Sequence, residues 1–216
     1  MTLVNAVYTP TGIVMSGDSR TSGPGYVQSD STNKVFLLHK RIGILTAGNA
    51  HINFLPIEHF INQFEAENDI EEHSETVYEM AEKLGTYFKS VSKEVNVYLM
   101  IAGYDGNEPF LYELNTIQEP LNINRMNLNE SKEVIYGIAW NGDGEVVNRL
   151  TSGQYMPQYN YMNLQDAIDY SRHLIRTTID QLKFEPRFPT VGGEIDTLII
   201  KPDGGEFIYK KMITYN

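Results

Sequence analysis

Four short apolar runs, at residues 2–8, 13–19, 34–38 and 42–47, follow one another before any helical periodicity appears. Runs of this length read as strands, and the segments between them are rich in turn formers. Thr9-Pro10-Thr11-Gly12 is a turn in which Pro and Gly supply the required backbone angles. Ser22-Gly23-Pro24-Gly25 reads as a loop, and His39-Lys40-Arg41 turns the third strand back into the fourth. The chain therefore opens with hairpins, four strands before the first helix.

The remainder alternates helix pairs with further hairpins. Asn49 is a candidate N-cap, and Ile52, Leu55, Ile57, Phe60, Ile61 and Phe64 recur at helical spacing. That spacing predicts a helix over 49–67, interrupted by Pro56. His73 lies in an acidic polar stretch, and Ser74 is read as the cap of a second amphipathic helix reaching about residue 91. Strands are expected at 95–104, 109–114, 121–123 and 133–139, with Asp105-Gly106 as a hairpin turn. Asn141-Gly142-Asp143 opens a helix over 143–151. Asn163, with Asp166 three positions on, caps a longer one to 182. Strands at 196–201 and 207–213, joined by Pro202-Asp203-Gly204-Gly205, close the chain.

Runs of hairpins alternating with helix pairs point to an α+β fold of two antiparallel sheets stacked face to face and covered by helices. With 41% apolar content over 216 residues, one core and one domain spanning 1–216 are expected. No run reaches 18 apolar residues, so no spanning helix is expected. Met1 leads directly into a strand-like alternation, not into a signal-peptide pattern. There are no cysteines, hence neither disulfides nor thiolate metal sites. A cytoplasmic protein is the expectation. The formal net charge of −11 argues against a nucleic-acid partner. His39, His51, His59, His73 and His173 show no metal-ligand spacing, and no cofactor is expected. Tyr155, Tyr159 and Tyr161 cluster in one loop, read as packing beneath it or as a subunit contact. Val191-Gly192-Gly193 precedes a strand, not a helix, and so is no phosphate cradle.

Chemistry concentrates in residues 2–48. Thr2 becomes N-terminal if Met1 is removed. A threonine hydroxyl needs a base, and a free α-amine with a reference pKa of about 7.7–8.0 supplies one on the same residue. Lys34 is the cation that would favour the ionised hydroxyl, and Asp18 the carboxylate that would orient Lys34. Gly48, lacking a Cβ, would let a substrate approach a backbone N–H able to meet an oxyanion.

These residues also carry a resemblance. Thr2, then Gly12-Ile13-Val14-Met15-Ser16-Gly17-Asp18-Ser19-Arg20-Thr21-Ser22, Ser29-Asp30, Lys34-Val35 and Thr46-Ala47-Gly48-Asn49-Ala50 resemble the start of proteasome β-type subunits. They also resemble the related bacterial threonine proteases that work with an unfoldase, both N-terminal nucleophile hydrolases. Asp18, Lys34 and Gly48 stand 16, 32 and 46 positions after Thr2, in register with the family pattern. The resemblance implies a four-layer αββα sandwich and a threonine endopeptidase. In that scheme Thr2, Asp18, Lys34 and Gly48 are catalytic, with Arg20 supporting Asp18. Thr21, Thr32, Thr46, Ala50 and Phe54 line the substrate pocket. It implies peptide or unfolded protein as substrate, a homo-oligomeric ring and an ATPase unfoldase partner.

The second half departs from the family pattern. Tyr136-Gly137-Ile138-Ala139-Trp140-Asn141-Gly142 lacks the serine expected after that strand, and Phe188 and Val191 stand where an Asp and a Ser are expected. Two alternatives follow: a non-catalytic ring or scaffold subunit, and an amidase acting on a small amide. Scaffold-type relatives carry an N-terminal extension ahead of the threonine, which favours the peptidase.

Overall fold

The computed structural model describes residues 2–68, 75–92 and 94–212. The chain opens with hairpin β1 (Leu3–Thr9) and β2 (Gly12–Asp18), a small hairpin β3 (Thr21–Gly23) and β4 (Tyr26–Ser29), and hairpin β5 (Val35–Leu38) and β6 (Ile42–Gly48). A two-rung hairpin, β7 (His51–Ile52) and β8 (Leu55–Pro56), leads into α1 (Ile57–Glu67) and then α2 (Val77–Val91). Next come β9 (Val97–Asp105), β10 (Glu108–Asn115), β11 (Ile123–Arg125) and β12 (Gly137–Gly142). Helices α3 (Glu145–Thr151) and α4 (Leu164–Leu182) precede the last hairpin, β13 (Ile195–Lys201) and β14 (Gly204–Tyr209).

Two five-stranded antiparallel sheets carry the fold. One runs β12-β1-β2-β13-β14, the other β11-β10-β9-β6-β5. Every residue of β1 and β2 is buried, because both faces of their sheet are covered. The two-residue period of a strand sorts the side chains. Val4, Ala6, Ile13 and Met15 pack on Val35, Leu45, Ala47, Met100 and Ala102 of the other sheet. Val7 and Val14 face the opposite way, onto Ala167 and Ile168 of α4, and Leu3 packs with Leu174 and Ile175 of the same helix. On the far face of the second sheet, Ile44, Leu99 and Ile101 meet Ile61 and Phe64 of α1 and Leu84 and Phe88 of α2. Full burial of one such side chain contributes about 1.5–3 kcal/mol. Polar groups facing α4 are paired: Ser171 Oγ donates to Asn5 Oδ1 at 2.6 Å, and Asn5 Nδ2 donates to the Ser171 carbonyl at 3.0 Å.

Several boundaries differ from the sequence reading, each for a physical reason. The helix expected over 49–67 begins at Ile57, with Pro56 at its N-cap. Proline offers no N–H to a preceding turn and pushes Leu55 into extended backbone, so 51–56 folds as a hairpin. Asn49 is therefore no cap; its N–H bonds the Asn96 carbonyl at 2.9 Å. Residues 22–25 belong to the β3–β4 hairpin, so eight strands precede the first helix. The expected cap Ser74 lies outside the described residues, as does His73. Helix α2 is capped by Thr76 in a reciprocal box with Glu79. The expected strand at 133–139 shifts to Gly137–Gly142, leaving Val134 in an isolated bridge with Leu128. The expected strand at 121–123 starts at Ile123 and runs to Arg125. The last strand ends at Tyr209, and Ile213 lies outside the described residues. Asn163 and Asp166 do form a capping box, and α4 ends at Leu182.

Candidate active site

Strand β2 ends at Asp18, beside the start of β1. Asp18 is 1% exposed. Its Oδ1 accepts hydrogen bonds from the Thr2 hydroxyl at 2.6 Å, the Leu3 N–H at 2.9 Å and Lys34 Nζ at 2.7 Å. Its Oδ2 accepts from the N–H groups of Arg20 at 3.1 Å and Gly192 at 3.0 Å. Five donors thus converge on one enclosed carboxylate. Lys34, one residue ahead of β5, also donates to the Arg20 carbonyl at 2.6 Å. Burial pushes the Lys34 ammonium below the ordinary lysine range, against the upward pull of Asp18. So enclosed a pair is tolerated only with its hydrogen bonds satisfied.

A cleft of about 340 Å³ opens beside Thr2. Thr2, Arg20, Thr21, Thr32, Lys34, Thr46, Gly48 and Ala50 border it, together with Ser22, Gln28, Asn33, Asn49 and His51. Asp18 lies behind that wall. Thr21 and Thr32 share a hydroxyl hydrogen bond of 2.7 Å. Gly48 ends β6 at φ +90, and a Cβ there would stand 2.5 Å from the Asn96 carbonyl oxygen. Only glycine fits that corner without strain, and it leaves backbone exposed to the cleft.

Two expected site residues are placed differently. Phe54 does not border the cleft: it projects from the tip of the β7–β8 hairpin, 99% exposed. A continuous helix from Asn49 would have stacked it one turn beyond Ala50; the proline-set hairpin turns it outward. The Arg20 side chain does not reach Asp18. Its Nε and Nη2 bind the two oxygens of Asp30 at 2.6 and 2.8 Å, and its Nη1 binds the Pro189 carbonyl at 3.1 Å. Only its backbone serves Asp18.

A second cluster at Thr2 has no counterpart in the sequence reading. The Asp143 N–H donates to the Thr2 carbonyl at 2.8 Å. The side chain of Asp143 is 5% exposed. It accepts from Arg187 Nη1 at 2.5 Å, Arg187 Nη2 at 3.1 Å and Thr190 Oγ1 at 3.0 Å. Burial alone would raise this carboxyl, but the hydrogen bonds from Arg187 and Thr190 prevail and hold it below the usual range. Arg187 Nε is itself bound by Glu185 at 2.5 Å. Gly142, at φ +112, makes the approach possible, since a Cβ there would overlap the Thr2 carbonyl oxygen. The available signal was an aspartate flanked by two glycines directly after a strand. Nothing in the local sequence links it to Arg187, 44 residues on.

The model of the proteasome subunit family matches residues 2–118. Over 95 residues, 44% of this chain, the sequence is 30% identical to a protein of Korarchaeum cryptofilum (strain OPF8) described as proteasome subunit beta 2. The matched stretch spans 42% of that relative's length.

Proposed function

The chain belongs to the proteasome subunit family, and from that premise we propose that it is a threonine peptidase with Thr2 as nucleophile. The observation that carries this reading is the Thr2 hydroxyl, 2.6 Å from the Asp18 oxygen that also holds buried Lys34, at the edge of a cleft. Cleavage after Met1 frees the Thr2 amine. The amine takes the hydroxyl proton as Thr2 Oγ1 bonds to the scissile carbonyl carbon. Lys34 favours the developing alkoxide, and Asp18 fixes Lys34. The carbonyl oxygen gains negative charge and is met by the Gly48 N–H. Collapse breaks the C–N bond, and the leaving amine carries off the proton held by the Thr2 amine. Water, deprotonated by the same amine, then hydrolyses the threonyl ester.

The finer fold assignment, a one-domain four-layer αββα sandwich over 1–216, belongs to this proposal. So do assembly into a homo-oligomeric ring, an unfoldase partner and a cytoplasmic setting. No helix among the described residues is long and apolar enough to cross a membrane. The test is turnover of a fluorogenic peptide panel by the form beginning at Thr2. Thr2→Ala should abolish cleavage at least 10³-fold on the scale of about 10⁶ for a lost nucleophile, with the fold intact by circular dichroism. Undiminished turnover in that variant overturns the proposal. A second reading, an amidase for small substrates, draws on the cleft volume of about 340 Å³. That is small for an active-site pocket. Small acyl-amides added to the same panel decide between the two.

A further inference from the structure

We infer that Asp143, held by Arg187 and Thr190, is a positioning residue for Thr2, and that Arg187 offsets its charge so that the freed Thr2 amine stays available as a base. The inference rests on the reading of Thr2 as a nucleophile activated by its own amine.

Strand pairing places the groups. Leu3 stands opposite Gly142 in the β1–β12 ladder. The Asp143 N–H to Thr2 carbonyl bond at 2.8 Å closes the end of that ladder and sets Asp143 beside the Thr2 main chain. Asp143 thus faces the Thr2 main chain from the side opposite β2. The close approach is specific, since Gly142 has no room for a side chain against Thr2.

The charges flanking Thr2 form a pair on one side and a three-member cluster on the other, with Arg20, bound to Asp30, at the cleft wall. Asp18 with Lys34 lies on the β2 side, and Asp143 with Arg187 on the β12 side. Glu185 sits behind Arg187, on its Nε. A bare Asp143 carboxylate would favour the ammonium form of a nearby amine. An ammonium cannot accept the hydroxyl proton. The two-nitrogen grip of Arg187 lessens that bias, its charge shared with Glu185, while keeping the carboxylate rigid. One segment also serves both carboxylates. Arg187 and Thr190 bind Asp143, while the Gly192 N–H binds Asp18. The same stretch is pinned just past the end of β2 by the Ser19 N–H on the Gly192 carbonyl at 3.0 Å. Residues 187–192 therefore span Thr2 from flank to flank.

The experiment uses protein whose N-terminus is Thr2, labelled with ¹⁵N-threonine. The amine is titrated by NMR, and kcat/KM for a cleaved peptide is followed against pH. Arg187→Gln should move the amine titration and the acid limb of kcat/KM together to higher pH. Turnover at pH 6.5 should drop about threefold to tenfold, the effect of an unbalanced charge nearby. Arg187→Lys should stay near the parent, and the double variant Asp143→Asn with Arg187→Gln should move both readouts back toward it. An unmoved amine titration in Arg187→Gln, or a turnover loss equal at every pH, overturns the inference. Should Arg187→Gln not fold, Asp143→Asn alone must move the titration to lower pH, and an unmoved titration again overturns it. If no form cleaves peptide, the peptidase reading has failed, while the amine titration still decides the charge argument.

Discussion

Asp18 bears more of the site than any other residue. Its two oxygens take donors from the nucleophile candidate, from β1, from Lys34 and from two turns. Asp18→Asn keeps the shape but points an amide N–H₂ at groups that are themselves donors. It also leaves the buried Lys34 ammonium without its counter-charge. Breaking such a pair costs about 3–5 kcal/mol. We expect a loss of that size in urea denaturation, together with loss of peptide turnover. A stability within 1 kcal/mol of the parent, on the roughly 0.5–3 kcal/mol scale of ordinary substitutions, would contradict this account. At this scale the sequence was legible where partners sit on neighbouring hairpins. Thr2, Asp18, Lys34 and Gly48 are brought together by β1, β2, β5 and β6, all within one short stretch. Asp143 and Arg187 were not legible, because their pairing depends on β12 and on the approach to β13. Arg20 does support Asp18, through its backbone N–H, but the sequence shows a charge and not its direction: Asp30, ten residues on, captured the guanidinium.

Among the elements, the β7–β8 hairpin is the main departure from periodicity. Ile52 and Ile57 are buried, as a helix would have them, yet the backbone between them turns through Asn53 at φ +50 and Phe54 at φ +67. Apolar spacing alone does not separate a helix from a tight hairpin when both bury the same two residues. Pro56 was the discriminating signal. A left-handed phenylalanine costs roughly 1–2 kcal/mol, and Phe54 recovers no burial in return. Phe54→Gly should therefore leave stability unchanged or raise it by up to about 1 kcal/mol, with the greater freedom of unfolded glycine offsetting part of the relief. A clear drop in the denaturation midpoint would show that the ring has a contact in the folded protein. The start of α2 carries the opposite expectation. Thr76→Ala removes the side-chain half of its capping box, leaving the Glu79 N–H without its acceptor, and should cost about 1 kcal/mol. Thermal unfolding of the two variants side by side checks both.

In the molecule as a whole, stability rests on how closely the two sheets approach. Gly43 of β6 faces Met15 across the interface, and a Cβ there would stand 2.4 Å from the Met15 sulfur and within 3.2 Å of Leu198 and Ile200. Gly43→Ala should cost about 1–3 kcal/mol by overpacking. Trimming the partner in the same background, Met15→Ala, should show favourable coupling in a double-mutant cycle. Additive losses would mean that the sheets do not meet at this point. The α+β class was readable because hairpin runs and helix pairs alternate along the chain. The strand order was not, since β13 enters beside β2, with α4 and much of the chain between them in sequence. That insertion also sets a clock for biosynthesis. The N–H that completes the Asp18 cradle and the guanidinium that grips Asp143 both come from residues 187–192, far along the chain from Thr2. A nascent chain that has folded its first hairpins holds Thr2 without either restraint, so Thr2 is fixed in place only after the chain has been made past residue 192.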